Sequence, residues 1–132
     1  MKKVFDLPAT ADVLRSFREE LRPLLEHAGW QKKQLHEIVL AVDEVLTNVI
    51  RHAYRDGVGR IKIYFEDHPD RTEIVIEDLG KKFDPTKAPM PELPREKPGG
   101  LGIHFIRTIM DELIYDEAFP EGNRLRMIKR KQ

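Results

Sequence analysis

The stretch LHEIVLAVDEVLTNVIRHAY, residues 35–54, decides how the rest of the chain is read. Two patterns run through it. Leu35, Ile38, Val39, Val42, Val45, Leu46, Val49 and Ala53 recur at helical spacing and form one broad apolar stripe. Glu37, Ala41, Glu44, Asn48 and His52 fall on a second stripe beside it. A polar stripe on a helix is usually no more than a solvated face. Two residue choices argue otherwise here. Asn48 is a poor helix former because its short amide competes for backbone hydrogen bonds. The β-branched Thr47 beside it also costs helix stability. Glu44 and Asn48 are one turn apart, so a carboxylate oxygen and an amide oxygen can converge on one point. Such a pair suits a hard cation or an attacking hydroxyl.

Toward the N-terminus, Lys2 to Leu7 is a short candidate strand that Pro8 ends. Thr10 is placed to cap a helix running to about His27, with Val13, Leu14, Phe17, Leu21, Leu24 and Leu25 as its buried stripe. Pro23 lies inside this pattern and should kink or divide the helix. Gly29 stops it. The central helix follows and ends near Tyr54, and residues 55–59 read as a turn.

Toward the C-terminus, Arg60 to Glu66 alternates, with Ile61, Ile63 and Phe65 on one side. After a turn at Asp67 to Asp70, Thr72 to Asp78 is the partner strand of an antiparallel hairpin, with Ile74 and Ile76 inward. Pro85 to Pro98 holds five of the nine prolines and almost no core residues, so it is no regular element. Loops this long in compact domains are either lids or disordered segments. Gly99-Gly100-Leu101-Gly102 then opens a third helix whose face is expected to carry Leu101, Phe105, Ile109 and Leu113, widened by Ile106 and Met110. Glu112 to Glu117 and Asn123 to Lys129 are the last two strands. Hairpins with grouped helices predict an α+β fold, with a mixed, mostly antiparallel sheet and the helices on one face.

Composition narrows the function. With 132 residues the chain is long enough for one domain with a real core. A formal net charge of zero removes the electrostatic case for nucleic acid as the main partner. There is no cysteine, hence no disulfide, thiol catalysis or cysteine-bound metal, and the expected compartment is the cytoplasm. MKKVFDLPAT has no apolar run after its lysines, so it does not read as a signal peptide, and no stretch is apolar enough to span a bilayer.

Three further signals are weak one by one. Gly100-Leu101-Gly102 at a helix start can admit an anion to unsatisfied N–H groups, although most such glycines only make a turn. No GxxxxGK[ST] run occurs, which excludes a P-loop. Asp78 at the end of an apolar strand can cap a turn, or can accept a hydrogen bond from the exocyclic amine of a base. Gly80 would let that base lie close to the backbone.

Their order carries more than any one of them. AVDEVLTNVIRHAY at 41–54, IEDLGKKFDP at 76–85 and GGLGIHFIRTIMDELIY at 99–115 together resemble the Bergerat-type ATP site of DNA gyrase, heat-shock chaperone ATPases, MutL and sensor histidine kinases. Within that superfamily the chain most resembles the bacterial anti-sigma-factor serine/threonine kinases, over nearly its whole length. The resemblance implies a two-layer histidine kinase-like ATPase fold over residues 1–132, with 85–98 as the ATP lid. By position it implies Glu44 as general base, Asn48 as Mg²⁺ ligand, Asp78 as the residue bonded to the adenine amine, Gly80 as its close-approach neighbour, and Gly100 and Gly102 as phosphate-contacting glycines. His52 occupies a recurrent position without an assigned role.

The family often carries Gly-Thr on the late strand, where the hydroxyl supports the adenine-binding aspartate; here the matching pair is Gly122-Asn123. No histidine-bearing dimerisation segment precedes the three blocks, so the implied phosphate acceptor is another protein. The implied partners are ATP, an anti-anti-sigma protein of the STAS type, a sigma factor, and a second copy in a homodimer. A non-catalytic module that holds nucleotide or only sequesters a partner is the alternative. A kinase with a target unrelated to sigma factors is a further one.

Overall fold

The computed structural model describes residues 1–54, 59–87 and 102–131. A strand, β1 (Lys2–Pro8), leads into two helices, α1 (Ala11–His27) and α2 (Lys32–Asn48). The last turn of α2 widens into a π-helical turn, Val49–Ala53. The hairpin β2 (Arg60–Asp67) and β3 (Arg71–Asp78) follows, then a short 3-10 turn at Pro85–Lys87, α3 (Gly102–Ile109), β4 (Glu112–Tyr115) and β5 (Asn123–Arg130). Among the described residues no helix is long and apolar enough to cross a membrane.

The strands form one sheet in the order β1-β2-β3-β5-β4. Alternation sets which face is buried. Ile61, Ile63, Phe65, Ile74, Ile76, Leu125 and Met127 all point to the side where the helices pack. Leu14, Phe17, Leu21 and Leu25 of α1 meet them, as do Leu35, Ile38, Val39, Val42, Val45 and Leu46 of α2. The two layers and the α+β class are therefore as the sequence implied. All the pairings are antiparallel, so the sheet, expected to be mixed and mostly antiparallel, is wholly so among the described strands. Every strand is joined to its neighbour by a hairpin or by a connection that returns antiparallel, so no parallel pair arises among the described strands.

The other sheet face is held by charges. Arg126 bonds Glu73 through Nη2 at 2.6 Å, and Arg124 bonds Glu77 through Nε at 2.7 Å. Burial works to raise the Glu73 carboxyl, but the bond and charge of Arg126, with Arg71 and His68, outweigh it and hold Glu73 below the ordinary value.

Three local expectations need correction. Pro23 does not divide α1, which runs unbroken to His27. The proline is exposed, and the bond it forfeits belongs to the carbonyl of the exposed Glu19, which water can satisfy. Thr10 stands at the N-cap with extended backbone, but its hydroxyl makes no capping bond. The buried face of α3 is Ile103, Ile106 and Ile109, continued by Met110, whereas Phe105 is exposed. The helix has only two turns, and Leu113 already belongs to β4, so the longer stripe through Phe105 does not exist.

Candidate functional site

A cleft opens between α2 with its π-helical turn, the adjoining ends of β3 and β5, β4 and the segment Phe83–Pro85. It encloses about 420 Å³ of empty space, part of it open to solvent. Val45, Val49, Ile76, Ile106 and Leu125 make most of it apolar. Asn48, Asp78, Tyr115 and Asn123 supply the polar groups.

Asp78 is the last residue of β3 and pairs with Asn123, the first of β5. It is only 3% exposed. Its Oδ1 accepts from the Gly80 backbone N–H at 2.9 Å and from Asn123 Nδ2 at 2.9 Å. Among the described residues Oδ2 receives no hydrogen bond. Burial pushes the carboxyl above its ordinary value, against the opposing pull of the Asn123 bond, the Gly80 N–H and the Lys82 charge. The outcome is a desolvated acid with one oxygen fixed and the other still an acceptor, at the edge of an apolar cleft. The amide of Asn123 thus donates the bond that the sequence comparison with a threonine led us to expect.

Gly80 is required by contact. A Cβ there would lie within 2.7 Å of the Ala53 carbonyl carbon and Cβ, and would collide with the carbonyl oxygen. That oxygen also accepts from Lys81 N at 3.0 Å. Gly122, with φ at +79°, sits where any side chain would strike the Asp78 carbonyl. Tyr54 braces the same corner. Its hydroxyl accepts from Leu79 N and donates to the Arg60 carbonyl, each at 2.7 Å.

Asn48 lines the cleft, and its side chain makes no hydrogen bond among the described residues. One turn earlier, Glu44 is half-buried. Desolvation, then the neighbouring Asp43, raises its carboxyl, while Arg51 opposes them. A Cβ on Gly102 would collide with the Glu44 carboxylate, so the start of α3 is pressed against this acid. The structure thus brings Asn48, Asp78 and Asn123 into one cleft and sets Glu44 with Gly102 one turn away. Gly100 lies outside the described residues, as do positions 88–98 of the proposed lid and most of the 55–59 turn. The first residues of that lid are ordered by Asp84, whose Oδ1 accepts from Thr86 N at 2.9 Å.

His52 gains a structural place: its ring stacks on Phe83 with centroids 4.4 Å apart. Sequence reasoning missed Tyr54 and Tyr115. Their partners lie on other elements, and no local pattern marks them. The tyrosine ending β4 four residues after Asp111 carries no signal of its own. Elsewhere, Glu66, His68 and Glu73 gather with ligand atoms within 4.8 Å of one another, at the far end of the hairpin. Arg126 and Arg71 already pair with that Glu73, so the group belongs to the ion-pair network of the outer face.

The chain was then compared with known proteins. The family described as histidine kinase-like ATPase domain matches residues 7–129. Serine-protein kinase RsbW of Staphylococcus aureus, in strains JH9 and Newman alike, is 33% identical over 137 aligned residues, covering 96% of this chain and 86% of that protein. The crystal structure of the RsbU and RsbW domains of Rv1364c from Mycobacterium tuberculosis is similar with a TM-score of 0.72 at 19% identity. That match covers 98% of this chain and 32% of the other, so the chain spans about a third of it. The histidine kinase domain from the Erythrobacter litoralis EL346 blue-light activated histidine kinase gives a TM-score of 0.52 at 18% identity, covering 88% and 60%. These two structures bear on the fold alone.

Proposed function

Because the chain belongs to the histidine kinase-like ATPase domain family, and within it to the RsbW serine-protein kinases, we propose that it is an ATP-dependent serine/threonine protein kinase acting as an anti-sigma factor. The observation that carries this reading is buried Asp78 at an apolar cleft, its Oδ2 receiving no hydrogen bond among the described residues, with Asn48 on the same cleft wall and Glu44 one turn earlier on α2. An apolar slot with one fixed acceptor suits adenine, whose exocyclic amine donates. Gly80, lacking a side chain, leaves the base room to lie on the backbone.

The donor set at Asn48 fits Mg²⁺. Its neutral amide oxygen makes no hydrogen bond among the described residues and would stand beside the phosphates, and Mg²⁺ takes few protein ligands and keeps its waters. Bound there, the ion would neutralise charge on the transferring phosphoryl group. Glu44 is suited to take the proton from an incoming serine or threonine hydroxyl. Its raised carboxyl makes it a better base than an exposed glutamate. Gly102 brings the N–H groups at the start of α3 close to this acid, where they can face the phosphates, and Gly100 has the same role by resemblance. Residues 85–98 would close over the site and favour transfer to protein over hydrolysis.

By the same reading the acceptor is a STAS-type anti-anti-sigma protein, the sequestered partner is a sigma factor, and the protein works as a homodimer in the cytoplasm. The chain would be one ATPase domain throughout. A partner-holding module without catalysis is the second reading, and the presence of Glu44, Asn48 and Asp78 together favours the kinase. Calorimetry with ATP, with and without Mg²⁺, followed by transfer of labelled phosphate to an anti-anti-sigma protein, tests the proposal. Binding altered by Mg²⁺ and label on a serine or threonine support it. Binding without transfer to any such protein favours the module, and absence of binding sinks the kinase reading and leaves a module that only sequesters a partner.

Gly102→Ala probes the contact with Glu44 directly. The atom that must give way is the far end of a flexible side chain, so the fold should keep its melting temperature. The carboxylate is displaced instead. Transfer should slow by about ten- to a hundredfold, the cost of misplacing a reacting group by about 1 Å. ATP affinity, read by the same calorimetry, should change far less.

A further inference from the structure

Asn123 spends its whole hydrogen-bonding capacity inside the protein. Nδ2 donates to Asp78 Oδ1 at 2.9 Å and to the Lys81 carbonyl at 2.9 Å. Oδ1 accepts from Phe83 N at 2.8 Å and from the Tyr115 hydroxyl at 2.5 Å. A backbone N–H can only donate and a carbonyl can only accept, so the amide has one orientation and Tyr115 must be the donor. Two of these partners, Lys81 and Phe83, belong to the segment that runs toward residues 85–98. The other two are in the sheet: Asp78 ends β3 and Tyr115 ends β4. Tyr115 therefore aims the amide from the sheet, independently of the 81–83 segment. A threonine, with one hydroxyl proton, could donate to Asp78 but not also to the Lys81 carbonyl, so it could not hold all four groups.

We propose that Tyr115 and Asn123 are the specificity-determining positioning pair of the base pocket: Tyr115 holds the Asn123 amide with its donor side toward Asp78, and that donated bond favours the ionised carboxylate, whose Oδ2 accepts and selects a purine with a 6-amino group over one with a 6-oxo group. The inference rests on the nucleotide reading above and names what sets its selectivity. The groups facing Asp78 from the elements around it are the phenols of Tyr54 and Tyr115, the Lys82 ammonium, the Asn123 amide and the Gly80 N–H. Burial, followed by the charges of Asp84, Asp78 and Glu117, raises the Tyr115 phenol, so it stays protonated and remains a donor.

The test compares ATP with inosine triphosphate, which differs in carrying the 6-oxo group, by calorimetry on wild type, Tyr115→Phe and Asn123→Asp. Wild type should prefer ATP by at least about a hundredfold, because a site built around one hydrogen bond rejects a ligand that cannot make it. Tyr115→Phe removes one oxygen, and circular dichroism should show the fold intact. ATP should bind about five- to tenfold more weakly, with the preference over inosine triphosphate reduced.

Asn123→Asp sets a carboxyl against Asp78, and two such acids share a proton only as pH falls. Its ATP binding should be weak near about pH 8 and recover toward about pH 5.5, the reverse of wild type; a merely structural role would not reverse a pH profile. Wild-type selectivity retained in Tyr115→Phe, or a wild-type pH trend in Asn123→Asp, overturns the inference and leaves the kinase reading standing. A wild type that binds neither nucleotide overturns both.

Discussion

Asp78→Asn should abolish ATP binding at concentrations where wild type is saturated, a loss of about a hundredfold or more. The substitution keeps size and removes the acceptor. The new amide keeps its oxygen where Oδ1 stood, accepting from the Gly80 N–H and Asn123 Nδ2, and so turns its own NH2 into the cleft, where it would meet the donating amine of adenine. Calorimetry reads the affinity, and a melting curve separates lost binding from lost fold. Affinity near that of wild type would remove Asp78 from base recognition and, with it, the main support for the nucleotide site.

The wild-type carboxyl also gives a sign for pH. Its value is raised, so adenine binding, which needs the ionised acceptor, should weaken as pH falls through that raised value. Stability runs the other way. Asp78 and Glu44 both hold protons in the folded chain over a range where the unfolded chain has lost them. Their contribution to stability is therefore greatest below the ordinary carboxylate range and declines as pH rises through the raised values.

Glu44→Gln should separate chemistry from binding. The amide fills the same space beside Gly102 but cannot take a proton. Phosphate transfer should fall by about 10²–10⁴-fold, the usual worth of a general base. ATP affinity should stay within a few-fold, because Glu44 does not line the base cleft. Single-turnover transfer from labelled ATP measures the first quantity and calorimetry the second. An unimpaired rate would take the base role from Glu44, and a parallel loss of affinity would place it among the binding groups instead.

Much of this was legible in the sequence because it is written in short-range periodicity. Ile61, Ile63 and Phe65 alternate, and the stripe of α2 repeats over five turns; neither pattern allows a second interpretation. The place of Asp78 and Gly80 at a strand end was legible for a related reason, as both sit at an abrupt change from strand to turn. The failures share a cause too. Phe105 was assigned to the core because two turns of helix cannot distinguish one face from the next. The effect of Pro23 depends on which side of α1 faces water, which only the packed fold decides. The roles of Tyr54 and Tyr115 depend on partners at Leu79 and Asn123, brought near only by the sheet. A bond between distant residues leaves no trace in local spacing. The widened turn after Asn48 is invisible for another reason: its residues are as apolar and as helical as those before it.

That π-helical turn makes chain length itself a functional quantity. Five residues, Val49–Ala53, are used where the ordinary helix would close its turn with fewer. The surplus sets the angle at which Ala53 and Tyr54 leave the helix, and so where the Ala53 carbonyl meets Gly80 and where the Tyr54 hydroxyl meets Leu79. Removing one residue would let the helix tighten and rotate everything after it by about 100°. Substitutions here could be absorbed one side chain at a time, but an insertion or a deletion could not. The segment between Asn48 and Tyr54 acts as a gauge, cut to one length, that sets the Asn48 wall of the cleft against the corner that holds Asp78 and Gly80.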